Sequence, residues 1–482
     1  MVGVRKDVAT LGGPWSADIL WYARAVKALR TRSPSDPTSW TYLAAIHGID
    51  ASGWVRNGLI PSLGSLPPPN IQNQDFNQCQ HSGWFFLPWH RGYLAAFEAI
   101  VAEWIAAQPG APSDWALPYW NYLNAADPAS RAIPPEFLSQ SWPDGRLDNP
   151  LLGPRPGTHV LGPQPWLPRA DINLGAQTTP MPYTAAPGTV GYGGAISGFS
   201  SDGDLTGALE GNPHNTVHVM IGGIGPGSGW MSDPAYAALD PIFWLHHCNI
   251  DRLWAAWMSN SANIQESSSP WKNGPFPRQF VMPDAAGNRV IFVPGDTLPG
   301  GILEPDYDNL SVGTGIAPGG AVVASVPLSG GGTSSGGGSS LVGANNQPLT
   351  VAAGTTATQV TLDTAAAPSV FASATGSPPA RYYLNLEGIR GDTPSAALSV
   401  SIKAADSAQP AIVETVTLFG LGRASSTQGR HAGNGLSVAI EITDKLLSLK
   451  AAPASLAVEI SQPEGTQTPI TVDRVSIYKS PE

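Results

Sequence analysis

Eight of the nine histidines precede a glycine/serine-rich tract at residues 329–340, and seven of those eight fall into two groups. The first holds His47, His81 and His90; the second holds His214, His218, His246 and His247. A single histidine is ordinarily a core or surface residue, but a constellation of this kind points to a metal. In the run HNTVH, His214 and His218 are four apart, so a helix projects them from one face about 6 Å apart in rise. Two imidazoles so placed chelate one ion. The zinc-protease form of this spacing needs a glutamate directly after the first histidine as general base; Asn215 stands there instead, which argues against that chemistry.

The run DPIFWLHHCNIDR at 240–252 places two adjacent histidines on a helix opened by Asp240–Pro241. One of them can face a metal; the other then points roughly 100° away. Asp251 is four residues after His247, so its carboxylate is expected on the same side, accepting the remote N–H of the ligand. The alternative for Asp251 and Arg252 is a surface charge pair. In the first group His81 lies in a loop, His90 opens a helix after Pro88, and His47 ends the apolar helical run 42–46. A loop ligand needs immobilising, and Cys79 stands two residues before it. All-imidazole ligation suits copper, zinc, iron or nickel rather than magnesium or calcium. Three nitrogens per ion leave a coordination position open, the mark of a catalytic or gas-binding site.

Helices must position these groups. Residues 16–30 carry apolar side chains at helical spacing, residues 90–107 repeat the pattern, and Asn212–Pro213 supplies a cap and first-turn proline for a helix through His218. Between about 123 and 205 the chain is rich in proline and glycine and reads as long loops. The tract SGGGTSSGGGSS at 329–340 has no apolar residue to bury and spans about 20 Å as a random coil. After it the period changes: the runs 381–386, 397–403, 413–419, 436–442, 456–460 and 471–478 read as strands, with a short helix at 443–449. The expected organisation is a mainly α domain at 1–310, a linker at 311–346 and an all-β sandwich at 347–482.

A hydrophobic content of 42% suffices for a sizeable core, and 54 glycines with 47 prolines fit long loops. A net charge of -11 argues against nucleic acid or an anionic membrane as partner, and no apolar stretch is long enough to span a bilayer. Two cysteines exclude a disulfide framework. The N-terminal residues lack the apolar core of a secretory signal, so the chain as written reads as cytoplasmic.

The extended runs HSGWFFLPWHRGYLAAFE, LPYWNY, NPHNTVH and DPIFWLHHCNIDRLW, in that order, resemble the two copper-binding motifs of tyrosinases, catechol oxidases and molluscan haemocyanins. The resemblance covers about residues 1–310. The part after the linker is similar, more weakly, to the C-terminal β-domain of plant-type polyphenol oxidases, which packs over the copper site as a lid. What this implies is a four-helix bundle around two copper ions, the first held by His47, His81 and His90, the second by His214, His218 and His247. His246 then stands in the outer shell with Asp251, and His159 and His431 are set aside. Cys79 and His81 match a Cys-X-His element in which sulfur is bonded to the imidazole carbon, while Cys248 is expected to be a buried free thiol.

The implied reaction is oxidation of o-diphenols, and ortho-hydroxylation of monophenols, to o-quinones with dioxygen as co-substrate and a small phenol as partner. Hydroxylation needs a base or an activated water. The family places an asparagine and a glutamate there: Asn215 fits, but position 205 is leucine and the nearest acids are Asp204 and Glu210. Asn215 and Asp251 are thus the candidate catalytic residues, and Val219 is expected either at the substrate entrance or in the core. An o-aminophenol oxidase, a dioxygen carrier and a dizinc hydrolase are the competing readings; the carrier is disfavoured by the absence of repeated histidine motifs, the hydrolase by the absence of a carboxylate ligand. The C-terminal domain is expected to be either a lid, with Phe419 or a side chain of 420–435 entering the site, or a stabilising module.

Overall fold

The computed structural model describes residues 3–312 and 339–480, apart from a few single positions and the segments 160–166, 168–171, 200–204, 364–379, 405–411, 429–432 and 449–454. The tract 329–338, Asp204, His431 and the side chain of His159 lie outside the described residues.

The helices form where caps and apolar spacing dictate. α1 (Ala17–Arg30) is capped by Ser16, whose hydroxyl accepts from the Ile19 amide, and buries Ile19, Tyr22, Ala23, Val26 and Leu29 on one face. α2 (Trp40–His47) is capped by Ser39 and ends on His47. α3 (Phe86–Ala106) begins a turn earlier than expected, so His90 lies inside it rather than at its start. Pro88 is tolerated there because first-turn amides have no intrahelical acceptor. The start expected at Asn212–Pro213 is instead a wide turn, Glu210–Asn215, in which Asn212 is extended and its side chain accepts from the Asn173 amide. α4 (Thr216–Gly222) continues from that turn. α5 (Pro241–Ser259) has Asp240 as cap, its carboxylate accepting from the Ile242 amide. Nearly every residue of α5 is buried, His246, His247, Asn249, Asp251 and Arg252 included. Of these, Asp251 and Arg252 are paired, whereas His246 Nε2, His247 Nδ1 and Asn249 Nδ2 have no protein partner, a cost in a helix buried all round.

The C-terminal domain is one eight-stranded antiparallel sheet in the order β8-β7-β10-β5-β3-β12-β6-β9, with a separate β11-β4 ribbon. The strands are β3 (Ser340–Ala344), β4 (Leu349–Val351), β5 (Thr355–Leu362), β6 (Tyr382–Ile389), β7 (Ser395–Ala404), β8 (Ile412–Phe419), β9 (Leu436–Glu441), β10 (Ser455–Ser461), β11 (Ile470–Val472) and β12 (Arg474–Lys479). β1 (Phe280–Pro283) and β2 (Arg289–Phe292) form a hairpin in the helical domain. Leu398 and Leu418 from one end of the sheet and Leu386 and Val438 from the other belong to a single core. The short helix expected at 443–449 is present as Thr443–Ser448.

Two expectations change. The run 471–478 divides at Asp473, so Ile470–Val472 pairs with β4 while Arg474–Lys479 pairs with β3 and β6. The span read as linker, 311–346, contains β3, which is hydrogen-bonded to β12 and β5. On the β12 side its backbone groups find partners more than a hundred residues away, a pairing that local composition does not announce. Among the described residues no helix is long and apolar enough to cross a membrane.

The two domains meet where α4 faces β8. Thr216 and Thr417 hydroxyls lie 3.1 Å apart, and the Ser395 hydroxyl donates to the Ser232 carbonyl. Phe419, the last residue of edge strand β8, is buried with the helical-domain core rather than with its own domain's.

Candidate metal centre

Helices α2 to α5 and the loop before α3 bring seven histidines into one buried region. Two sets of donors result: His47, Cys79, His81 and His90, and His214, His218, His246 and His247, the donor atoms in each lying within 4.8 Å of one another. The sets abut, with the His90 and His247 rings stacked at 4.4 Å.

Four imidazoles are held by their Nδ1–H. His47 donates to the Pro234 carbonyl at 2.9 Å, His90 to the Phe86 carbonyl at 2.8 Å, His218 to the Met231 carbonyl at 2.6 Å and His214 to Asn215 Oδ1 at 2.9 Å. Each arrangement leaves Nε2 as a bare lone pair. In the second set the Nε2 atoms of His214 and His218 lie 3.3 and 3.2 Å from His247 Nε2. Three nitrogens about 2.0–2.1 Å from one ion at tetrahedral angles lie about 3.3 Å apart. His247 Nδ1 has no protein partner; with the ring proton there, three lone pairs converge, and a cation between them removes their repulsion. In the first set His47 Nε2 is buried with no protein partner, a cost of about 1–3 kcal/mol for a polar atom without a ligand. Burial depresses the pKa of all seven histidines, those of His90 and His218 to about 3, so the rings are neutral and their lone pairs free to bind. The donor set fits two metal ions.

His246 differs from its neighbour in that its Nδ1 lies 3.0 Å from the hydroxyl of Tyr122 in the LPYWNY run, while its Nε2 is buried without a protein partner. The Cys79 sulfur lies 3.5 and 3.6 Å from the two ring nitrogens of His81 and 3.5 Å from His90 Nε2.

A model for the common central domain of tyrosinase matches residues 37–260, and one for a domain of unknown function matches 338–480. A tyrosinase from Hahella sp. is 32% identical over 442 residues, covering 89% of this chain and 88% of that one. The chain belongs to the tyrosinase family. Polyphenol oxidase 2 of Agaricus bisporus is 26% identical over 61% of this chain and 59% of its own. Among solved structures, latent apple tyrosinase superposes with a TM-score of 0.64 at 18% identity, over 99% of this chain and 97% of that one. A latent aurone synthase gives 0.60 at 17%, over 100% and 90%. These two likenesses establish the fold, a helical domain followed by a β-domain. The sequence relatives make this tyrosinase-family chain an oxidoreductase of the tyrosinase and polyphenol oxidase class.

The feature that sets this tyrosinase's site apart from an open cleft is Phe419. Its ring stacks on His218 at 4.1 Å and 19°, and meets His81 and His214 edge-on at 5.4 and 5.8 Å. The space left beside it, among His47, Cys79, His81, Pro234, Gly420 and Arg423, is about 20 Å³, room for one water. The expectation that Phe419 reaches the histidines is met in the geometry.

Other candidates sit differently. Val219 is buried in the helical core and does not line that space. Asn215 serves as the acceptor that orients His214. Asp251 does not touch His247: Arg5 and Arg91 ion-pair with it at 3.0 and 2.6 Å, and the Tyr307 hydroxyl donates to it. Nor is it a surface pair with Arg252, which binds Asn249, Asn121 and two backbone carbonyls. Two guanidiniums bind a carboxylate more strongly than a neutral imidazole N–H does. Cys248 is buried, its thiol 3.5 Å from the Leu117 carbonyl and pushed up to about 12 by burial.

Glu210 was legible only as a nearby acid. It is buried in the wide turn, accepts the Ser82 amide at 2.8 and 3.0 Å, and burial pushes its pKa up to about 8. The signal for it is spacing: Glu210, His214 and His218 recur every fourth residue.

Proposed function

We propose that the protein is a dicopper phenol oxidase that uses dioxygen to convert o-diphenols, and monophenols after ortho-hydroxylation, to o-quinones, with the C-terminal domain keeping it latent. The convergence of three imidazole nitrogens, the Nε2 atoms of His214, His218 and His247, carries this reading. Copper held by those three, and by His47, His81 and His90, would supply the redox chemistry, one electron per ion.

The chain's own residues then have defined work. The Nδ1 acceptors Pro234, Phe86, Met231 and Asn215 hold the rings so that a ligand exchange does not collapse the site. Aromatic walls, Phe86 at 4.6–4.7 Å from His90 and His214 and Phe243 at 4.1 Å from His247, exclude water. Glu210, poised near neutrality, is the group that takes a phenol proton. Latency rests on Phe419, which fills the place where a substrate ring would stack on His218.

Side-by-side turnover of a monophenol, a catechol and an o-aminophenol by copper-loaded protein, before and after cleavage within 329–340, tests the assignment. Catechol turnover with two coppers per chain is expected; two coppers without turnover, even after cleavage, would favour a dioxygen carrier. We further propose that Cys79, whose sulfur lies 3.5–3.6 Å from both ring nitrogens of His81, is bonded to a carbon of that ring. That bond replaces S–H and C–H, and dioxygen accepts the two electrons. The peptide containing both residues is then lighter by two hydrogen atoms in copper-loaded protein, and regains them in Cys79→Ser only as the unlinked serine form. An unaltered mass in active enzyme sinks the bond.

A further inference from the structure

The β-domain meets the helical domain at a second place, away from the histidines. Segments 182–183 and 192–193 pair through the Tyr192 and Gly193 amides, which donate to the Pro182 and Tyr183 carbonyls at 3.0 and 2.8 Å. Tyr192 stacks on Trp257 at 4.2 Å and Tyr183 meets Trp271 edge-on at 5.4 Å, so this base is fixed in the helical core. The loop projects from it to a turn at 186–189, closed by the Thr189 amide donating to the Ala186 carbonyl at 3.0 Å. Pro187 and Gly188 are the central residues, and Gly188 has φ 76°, which is the type II arrangement.

The tip of this loop sits on β6 and β12. Asn385 Nδ2 donates to the Gly188 carbonyl at 3.0 Å, and the Ser339 hydroxyl donates to the Pro187 carbonyl. Just before the loop, the Pro180 carbonyl accepts from Arg381 Nη2 at 3.4 Å. A Cβ at position 188 would lie 2.4 Å from the Tyr478 ring, so the ring packs directly against the glycine. Along β6, Leu384 and Leu386 point into the domain's own core, so Asn385 between them points out of it. It is nevertheless only 3% exposed, because the loop covers it.

The strands that carry Ser395, Thr417 and Phe419 are β7 and β8, and β10, β5 and β3 separate them from β12 and β6. The domain is thus held at two places by different strands. Contacts carried by one domain reinforce each other, because while one holds, the other stays close to its partner. Ser339 is the first described residue after the glycine/serine tract, and it already belongs to the second place. A cut before it removes none of these contacts. We propose that loop 182–193 is a docking prong that holds the β-domain independently of the histidine region. A chain cut in the tract therefore stays one particle, and its pieces part only on dilution.

The test uses the full chain with a specific protease site placed in the glycine/serine tract before Ser339. After cutting, the dissociation constant of the two pieces is read by sedimentation over a dilution series, with neither metal nor substrate needed. The unsubstituted pieces are expected to sediment together at about 1 μM. Gly188→Ala should raise the dissociation constant at least about tenfold, a loss of about 1.4 kcal/mol. Its methyl group meets the Tyr478 ring, and φ 76° disfavours a side chain. Asn385→Ala is a second variant; its side chain lies outside the β-domain's core, so the domain folds while the donor to Gly188 is lost. Lys403→Ala, which breaks a pair with Glu459 elsewhere on the sheet, should change nothing. Phe419→Ala should loosen the pieces too, and its effect should multiply with that of Gly188→Ala, as independent contacts do. Unsubstituted pieces that part at about 1 μM, unchanged dissociation in both Gly188→Ala and Asn385→Ala, or effects that fail to multiply would overturn the proposal. Turnover per molecule of cut enzyme should rise on dilution as the pieces separate. That consequence rests on the latency reading, and separation without it sinks latency while leaving the docking prong standing.

Discussion

His247→Ala is expected to strip one metal site from the protein and to lower catechol turnover by at least about a thousandfold, a barrier increase of about 4 kcal/mol. His246→Ala, one residue away on the same helix, is expected to keep both ions. The two side chains are equally buried, so burial does not separate them. Direction does: His247 Nε2 lies 3.2–3.3 Å from the free lone pairs of His218 and His214, whereas His246 presents Nδ1 to Tyr122. Removing His247 leaves two nitrogens for an ion that needs three. Removing His246 leaves Tyr122 without its partner and a small void, a stability cost rather than a loss of ligation. Metal content by elemental analysis, with the melting temperature measured alongside, reads the difference. Equal metal loss in both variants would return the third ligand to an open question.

The second large effect belongs to Phe419→Ala, expected to raise the turnover of a small catechol by about tenfold or more in the uncut chain. The ring is 5% exposed and packs against three of the six proposed ligands. Burying a phenylalanine contributes about 1.5–3 kcal/mol, and here that energy holds the closed arrangement against the open one. A change of 1.4 kcal/mol in such an equilibrium shifts the open population tenfold while that population is small. The same truncation removes the ring that a substrate must displace. A full-length variant with unchanged kinetics, still turning over catechol, would make the C-terminal domain a stabilising module instead. Gain from cleavage within 329–340 but not from Phe419→Ala would place the obstruction elsewhere in the domain.

The parts of the molecule written in short-range signals could be read directly. Ser16, Ser39 and Asp240 announce helix starts because a cap acts on amides only two or three residues away. Six strand runs and the turn residues between them could be read for the same reason, though the break at Asp473 was missed. The spacing of His214 and His218 follows from helix geometry, and their grouping with five other histidines from composition alone.

Tertiary structure decided what depends on contacts between distant segments. Helical spacing placed Asp251 beside His247, but Arg5 and Arg91 arrive from other elements and take the carboxylate, because paired charges bind more strongly than a neutral N–H. β3 looks like linker until β12 and β5 satisfy its backbone. The Glu210 carboxyl is pushed up to about 8 only because the fold withdraws it from water, an effect that the Ser82 amide donating to it partly offsets. Arg423, unremarkable in sequence, finds Asn77 as a partner only because the fold brings together residues 346 apart. By itself the sequence determined which groups could bind metal and which segments could be helix or strand, since both are properties of near neighbours. Which nitrogen faces which, and what covers the site, had to wait for packing, since a side chain's direction and its partners are set by whatever the folded chain places opposite it.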